Sequence, residues 1–343
     1  LCLQEWGNKA AQLIRRNPYL LMRFRNCGFK RCDALYLELG LPANAMKRQA
    51  LCAWYSIARD TEGHTWFSDS TPIAYIRATI AAQTIDTDRA LCLAVRAKAL
   101  AKLTADDDGI TKHGSQVWYA EQTKAEHETQ IAQSIVFSRE EKTRWPLVES
   151  LNGVSDHQRQ ELTKALAATI GILGGSPGTG KTFTVASLVA AALRVVGPDA
   201  IIIGAPTGKA SVRVTENLNA RGINLKARTW HSLLMQLERL KTNYFPAQFI
   251  FGDESSMNDT DMMARILRAR AAGAHVLFVG DINQLPPVGH GAPLRDMIRA
   301  NVAYGELREI HRNQGGIVQA CADIRDNKPW KCEGNLSLVS CYN

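Results

Sequence analysis

Eight consecutive residues in the middle of the chain, Gly175-Ser176-Pro177-Gly178-Thr179-Gly180-Lys181-Thr182, follow the pattern G-x-x-x-x-G-K-[ST]. An apolar run from Ile170 precedes them, and a helix-like run from Val185 to Val196 follows. Glycines here let the backbone curl until successive N–H groups point inward at a phosphate. The helix behind presents its positive end to the same charge. Lys181 would reach the β- and γ-phosphates of a nucleoside triphosphate, and the Thr182 hydroxyl would ligate Mg2+. The competing reading is a flexible glycine-rich turn; strand, loop, Lys-Thr pair and helix in this order favour the phosphate loop.

Other polar groups suit the same chemistry. Asp253 and Glu254 end an apolar strand-like run, Gln248 to Phe251. In phosphoryl transfer the first would hold Mg2+ and the second would polarise the attacking water. Gln284 lies in Gly280-Asp281-Ile282-Asn283-Gln284-Leu285-Pro286-Pro287-Val288, after another such run, Ala274 to Val279. Its amide can hydrogen-bond a γ-phosphate and sense its loss, on a loop whose two prolines fix its shape. Gln158 stands in Ser155-Asp156-His157-Gln158, the S-x-x-Q pattern of a capping box. Two roles are open to it: closing that cap, or reading an adenine edge with its amide.

The elements that must position these groups alternate. Ala200 to Gly204 reads as a buried strand ending in Ala205-Pro206-Thr207-Gly208-Lys209-Ala210, and helices are expected over Lys209 to Leu218, Thr229 to Leu240 and Asp259 to Ala271. Such alternation implies a parallel sheet with right-handed crossovers, whose ligands collect at the carboxyl ends of the strands. Every polar motif of this half falls at such an end.

The 343 residues suffice for two or three domains. No apolar run approaches the ~20 residues of a membrane span, and no signal peptide is evident, so a soluble, intracellular protein without a membrane partner is expected. The eight cysteines form no C-x-x-C pair and read as reduced core thiols. A formal charge of +8 and a pI of about 9.1 favour a polyanionic partner. Most of that excess sits early: ten basic residues against three acidic ones through Arg59. There, Tyr19 to Phe24 and Cys32 to Leu39 have helical spacing around a break at Asn26-Cys27-Gly28-Phe29-Lys30. A glycine at such a bend lets N–H groups approach a phosphate, with Lys30 and Arg31 beside it. An ordinary helical hairpin with solvated cations is the other reading. Beyond a polar connector, Pro72 to Leu103 reads as short helices, Asp106 to Gly109 as a turn, Gln116 to Tyr119 as a strand and Ala120 to Ile135 as a helix. Helices followed by a small strand pair suggest a winged-helix-like module.

Together the motifs GGSPGTGKT, APTGKA, TWHSLL, DESSM and GDINQLPPV, with Arg308-Glu309-Ile310-His311-Arg312-Asn313, resemble superfamily 1B DNA helicases of the RecD type. The stretch from Asn17 through Phe67 resembles the helix-hairpin-helix region of RecD2-like members. The resemblance implies an α/β fold: a RecA-like P-loop NTPase domain with a parallel sheet, preceded by mainly α-helical helix-hairpin-helix and winged-helix-like modules. The expected boundaries are 1–63, 64–150 with the linker, and 151–315 for the motor domain, with 316–343 as the start of a second motor domain. It implies ATP and Mg2+ as cofactors and 5′ to 3′ movement on single-stranded DNA with unwinding at single-strand/duplex junctions. A nuclease or recombination partner is also implied. On that basis Gln158, Gly175, Pro177, Gly178, Thr179, Gly180, Lys181, Thr182 and Phe183 hold the nucleotide, and Thr182 and Asp253 the metal. Lys181, Glu254, Gln284 and the arginine finger Arg312 act in hydrolysis. Pro206, Thr207, Lys209, Thr229, Trp230 and His231 line the DNA track, where Trp230 is either a stacking ring or core packing. Gly28, Lys30 and Arg31 hold DNA at the hairpin. A DNA-stimulated ATPase switch that does not travel is the other functional reading.

Overall fold

The computed structural model describes residues 2–80, 84–104, 116–141, 145, 151, 153–309, 323–324 and 328–329. They form two compact units, Leu1–Ala125 and Glu126–Asn343.

The first unit opens with α1 (Cys2–Trp6), α2 (Ala10–Arg16), a 3-10 turn over Pro18–Arg23, α3 (Phe29–Glu38) and α4 (Met46–Ala58). Tyr19 to Phe24 is thus a tighter helix than its spacing suggests: Pro18 starts it, and the chain turns extended again at Phe24. Then come β1 (Trp66–Ser68), α5 (Ser70–Thr79), α6 (Thr87–Arg96), β2 (Leu100–Thr104), β3 (Val117–Glu121) and α7 (Gln122–Glu140), which runs across the boundary into the second unit. The three strands pair antiparallel in the order β1-β3-β2. Helix, strand, two helices and a hairpin returning beside the first strand is a winged-helix arrangement. It recruits α4, which packs on α5, α6 and β3. The third strand, β1, hides in the polar connector because it is only three residues long, and β2 occupies the end of a run that reads as helical. The expected turn Asp106 to Gly109 lies outside the described residues.

Tyr19, Phe29 and Tyr36 of this unit's core meet ring to ring, and Phe29 stacks on Tyr55. Among them sits a buried ion pair. Arg48 donates through Nε to Asp33 Oδ1 at 2.8 Å and through Nη2 to Oδ2 at 2.9 Å, while Tyr19 donates to Oδ1 at 2.5 Å. A third Arg48 bond, from Nη1 to the Ala43 carbonyl at 2.7 Å, completes the fork. Arg48 is therefore a bolt between α3 and α4 and no part of a cationic surface.

The second unit carries α8 (Asp156–Ala165), β4 (Ile170–Gly175), α9 (Lys181–Leu193), β5 (Ile201–Ala205), α10 (Gly208–Asn219), β6 (Arg228–Thr229) and α11 (Trp230–Leu240). β7 (Phe249–Gly252), α12 (Thr260–Arg268), β8 (His275–Gly280), α13 (Pro293–Arg299) and β9 (Ala303–Leu307) follow. The six strands are all parallel in the order β6-β5-β7-β8-β4-β9. Alternate residues feed two cores. Leu173, Phe251 and Leu277 join Leu188 and Val189 of α9 on one face; Ile172, Ile250 and Phe278 join Leu234 of α11 and Met263 of α12 on the other. Burial on both faces is why these strands read as continuous apolar runs. The edge strand β9 was harder to read because Gly305 interrupts it. That glycine is required: a Cβ there would lie 1.8 Å from the Glu161 carbonyl oxygen of α8.

The Asp33–Arg48 pair predicts an acid response. Burial alone would push the Asp33 carboxyl up, but the bonds from Arg48 and Tyr19, with the Arg48 charge, hold it below its ordinary range. A depressed carboxylate stabilises the fold above its unfolded value, near pH 4, and loses that contribution as pH falls through the lower folded value. Asp33→Ala strands the Arg48 charge and should cost about 3–5 kcal/mol at pH 7. In urea titrations across pH 7 to 2, the gap between wild type and variant should close only at the acid end.

Candidate nucleotide and nucleic-acid site

β4 runs straight into the phosphate loop, and α9 begins at Lys181. Gly175, Gly178 and Gly180 have φ of 154°, 86° and 84°, which side chains rarely adopt, so the glycine pattern is a backbone requirement. The buried Thr179 hydroxyl donates to the Ser176 carbonyl at 2.8 Å and holds the loop curled. Lys181 Nζ donates to the carbonyls of Gly175 and, at 3.0 Å, Ser176. Both readings of Gln158 can be weighed against its bonds. Its Oε1 accepts the Ser155 N–H and its own N–H donates to Ser155 Oγ, each at 3.2 Å, closing the capping box. Its Nε2 donates to the Thr179 carbonyl at 3.3 Å. Gln158 therefore ties α8 to the back of the loop. Phe183, one residue past Thr182, lies under the Arg221 guanidinium, 4.2 Å from ring centroid to cation.

The parallel register brings the other acids to the same edge. Gly204 of β5 pairs with Gly252 of β7, Gly252 with Phe278 of β8, and Gly280 of β8 with Gly174 of β4. Asp253, Glu254 and Asp281 leave the sheet there, one and two residues past β7 and one past β8. Glu254 takes a left-handed conformation, φ 48° and ψ 36°, a strain of about 1–3 kcal/mol for a residue with a side chain. Burial lowers the Lys181 pKa, against the pull of Asp281, Glu254 and Asp253. Burial, then the Glu254 charge, raises Asp253, against Lys181 and Arg213. Lys181 thus lies within electrostatic reach of Asp253, Glu254 and Asp281. Thr182 and Asp253 also border one small cavity, whose other walls are mostly apolar, Val185, Val189, Val214 and Phe251 among them, so it is their position at the strand ends and not this cavity that suits a cation. One hydroxyl and one carboxylate, with two more acids nearby, fit Mg2+, which takes few protein ligands and completes its shell with phosphate and water. Asp281, buried and accepting the Asn283 N–H at 3.0 Å, was not among the expected site residues. Its signal was present: it follows an apolar strand just as Asp253 does.

Gln284 is exposed on the loop after β8, with its N–H donating to the Asp281 carbonyl at 3.2 Å. Pro206 begins the turn after β5, and Thr207 caps α10 by accepting the Ala210 N–H at 3.2 Å, beside exposed Lys209. Thr229 caps α11 in the same way on Ser232, and His231 is exposed. Trp230 corrects the expected DNA track. It is fully buried, and its ring lies so close to β5 that a Cβ on Gly204 would come within 2.3 Å of it. Core packing is its role, because the apolar face of α11 must seat on the sheet. Arg312 lies outside the described residues.

In the first unit Gly28 is the N-cap of α3, extended at φ −71°, and a Cβ there would meet nothing within 4 Å. The residue with special backbone at the hairpin is Asn26, at φ 69°, whose carbonyl accepts from Arg31 Nη1 at 2.8 Å. The glycine-specific part of the hairpin reading therefore does not hold for Gly28, while Lys30 and Arg31 are exposed beside it. Cys2, Cys27, Cys32, Cys52 and Cys92 are free thiols, of which only Cys32 and Cys52 are buried and Cys92 is exposed; Cys321, Cys332 and Cys341 lie outside the described residues. No described helix is long and apolar enough to cross a membrane.

The buried position of Trp230 makes a prediction. Trp230→Ala should lower folding stability by about 3–5 kcal/mol, seen as a drop in urea midpoint. A variant of unchanged stability that loses only DNA affinity would return Trp230 to a stacking role.

Residues 153–334 match the AAA domain family, and residues 2–66 match the family described as the ATP-dependent RecD2 DNA helicase HHH domain. The RecBCD enzyme subunit RecD of Mycobacterium tuberculosis is 36% identical over 183 residues, which cover 46% of this chain and 32% of that one. The ATP-dependent RecD2 DNA helicase of Deinococcus radiodurans is 26% identical over 351 residues, 93% of this chain and 46% of that one. The chain thus spans a third to a half of the length of these curated relatives. A solved Pif1 helicase from Candida albicans covers 51% of this chain and 44% of its own at 22% identity and a TM-score of 0.36, too distant to add to the assignment. The chain belongs to the AAA domain family, and ahead of that domain its residues 2–66 match the RecD2 helicase HHH domain.

Proposed function

We propose that this chain belongs to an ATP-driven DNA helicase, coupling hydrolysis to 5′ to 3′ movement along single-stranded DNA and to opening of the duplex at junctions. The observation that carries the reading is the convergence of Lys181, Asp253, Glu254 and Asp281 at one edge of a parallel sheet, around a glycine-shaped loop. In that site the loop N–H groups and Lys181 hold the triphosphate of ATP, with Pro177 shaping the loop and Phe183 beside the base. A bound Mg2+, held through Thr182 and Asp253, would neutralise charge on the phosphates. Glu254, turned off the strand by its left-handed backbone, orients and deprotonates water. Gln284 reports the γ-phosphate. Arg312 stands as the arginine finger of the reading, and an adenine contact by Gln158 would have to be exchanged for its bonds to Ser155 and Thr179.

DNA would follow the strand ends along Pro206, Thr207, Lys209, Thr229 and His231, with a second grip at Lys30 and Arg31. One relative is named a subunit of the RecBCD enzyme, which supports partner subunits; a nuclease or recombination partner belongs to the same reading. The domain limits 1–63, 64–150, 151–315 and 316–343 belong to the same reading.

Lys181→Ala should reduce steady-state ATP hydrolysis at least 100-fold and leave single-strand binding within about two-fold, because the lysine meets phosphate of the nucleotide and not of DNA. Turnover equal to wild type would remove the assignment of the site. In fluorescence anisotropy, log K for an oligonucleotide should fall linearly with log salt, at about −0.7 per phosphate contacted. A flat response would contradict a grip built on phosphates.

A further inference from the structure

α8 closes the open side of the parallel sheet with side chains. β9 is the outermost strand there and pairs with β4 alone among the described strands, and an edge strand leaves every second N–H without a ladder partner. Two side chains of α8 reach that edge. Glu161 Oε2 accepts the Glu306 N–H at 2.9 Å, and His157 Nε2 accepts the Arg308 N–H at 3.1 Å. The spacings match, since residues four apart on a helix face meet N–H groups two apart on a strand. The two acceptors differ in how they hold. Burial would push the Glu161 carboxyl up, but the bonds from Lys164 and from the Glu306 N–H outweigh it and keep the group below its ordinary range. Glu161 is therefore a lasting acceptor. His157 accepts only while its ring is neutral with the proton on Nδ1; once protonated, Nε2 is a donor facing a donor. Its charged neighbours are Asp156, Glu161 and Lys164 on α8, and Glu306 and Arg308 from the β9 side, the last two paired at 2.9 Å.

We propose that His157 is a positioning residue for ATP turnover, a clasp that fixes the chain leaving β9 relative to the phosphate loop and opens when its ring takes a proton. The inference rests on the reading of the sheet edge as an ATPase site. His157 and Gln158 are consecutive in the first turn of α8. Gln158 Nε2 donates to the Thr179 carbonyl of the phosphate loop at 3.3 Å, while His157 holds the Arg308 backbone. One helical turn thus joins the nucleotide loop to the exit of β9. Arg312, the proposed arginine finger, stands four residues beyond Arg308 in the sequence, so backbone freedom gained at Arg308 is passed on toward it. None of the bonds that shape the phosphate loop involves His157. Opening the clasp should therefore slow turnover and spare the binding of ATP.

The test measures kcat and KM for ATP on the whole chain, with a saturating single-stranded oligonucleotide, for wild type, His157→Ala and His157→Gln. Glutamine offers an amide oxygen near the place of Nε2 and takes no proton. At about pH 8, where imidazoles are neutral, His157→Ala should lose about 3- to 10-fold in kcat, the worth of one hydrogen bond, with KM unchanged. His157→Gln should restore most of that loss. On acidification from about pH 8 to pH 5, the span in which imidazoles change charge, wild type should lose more of its kcat than His157→Gln, which keeps its acceptor. Amide hydrogen exchange reads the bond itself: Arg308 should be protected in wild type and His157→Gln and open in His157→Ala. Equal kcat in wild type and His157→Ala, or an equal loss in both variants, overturns the inference and leaves the proposed function standing. An Arg308 amide that exchanges freely in wild type does the same. Absence of ATP turnover by wild type overturns the proposed function, and the inference falls with it.

Discussion

Every strand of the six-stranded sheet runs in one direction, and that single constraint decides where chemistry can occur. Both faces are covered by helices, so polar side chains have no place along the strands and collect where the strands end. Because the carboxyl ends are in register, the phosphate loop, Asp253, Glu254, Asp281 and the Pro206 turn all emerge at one edge. The same covering supplies the low dielectric that lets the edge work. Burial pushes both Lys181 and Asp253 toward their neutral forms and each opposes that shift in the other, while the Glu254 charge favours charged Lys181 and neutral Asp253. A triphosphate with a divalent cation adds charges of both signs to that balance, which is why the arrangement suits phosphoryl transfer.

Close packing behind the edge is equally specific. α8 lies so near β4 and β9 that Gly171 and Gly305 cannot carry a Cβ, and Gln158 extends from that helix to the loop backbone. Trp230 does the same from the other side, pressing its ring on β5 where only a glycine fits. The phosphate loop is thereby tied to α8, and the neighbouring strands β5 and β7 are held by Trp230 from the other face. In the first unit the Asp33–Arg48 pair has a comparable part, holding a small aromatic core together through a fork of charged hydrogen bonds.

Much of this was legible in the sequence because its determinants are local. The glycine spacing of residues 175–182 encodes positive φ, the apolar runs encode buried strands, and the acids directly after them encode the sheet edge. What stayed hidden depends on partners far away in the chain. Trp230 reads equally as a stacking ring or a core ring until Gly204 is seen beneath it. Arg48 counts as surface charge until Asp33 is seen beside it. The strands β1 and β6 are too short to show a period, and β9 is broken by a glycine that only α8 explains. Asp281 was the one avoidable omission, since its position repeats that of Asp253.

The central claim is that this edge hydrolyses ATP under the control of single-stranded DNA. The direct measurement is steady-state ATP turnover by the 343-residue chain, with and without a single-stranded oligonucleotide, at fixed Mg2+ and salt. Turnover that rises at least ten-fold on adding the strand is the predicted result. Turnover that is measurable but indifferent to DNA, or nucleotide that does not bind at all, would contradict it.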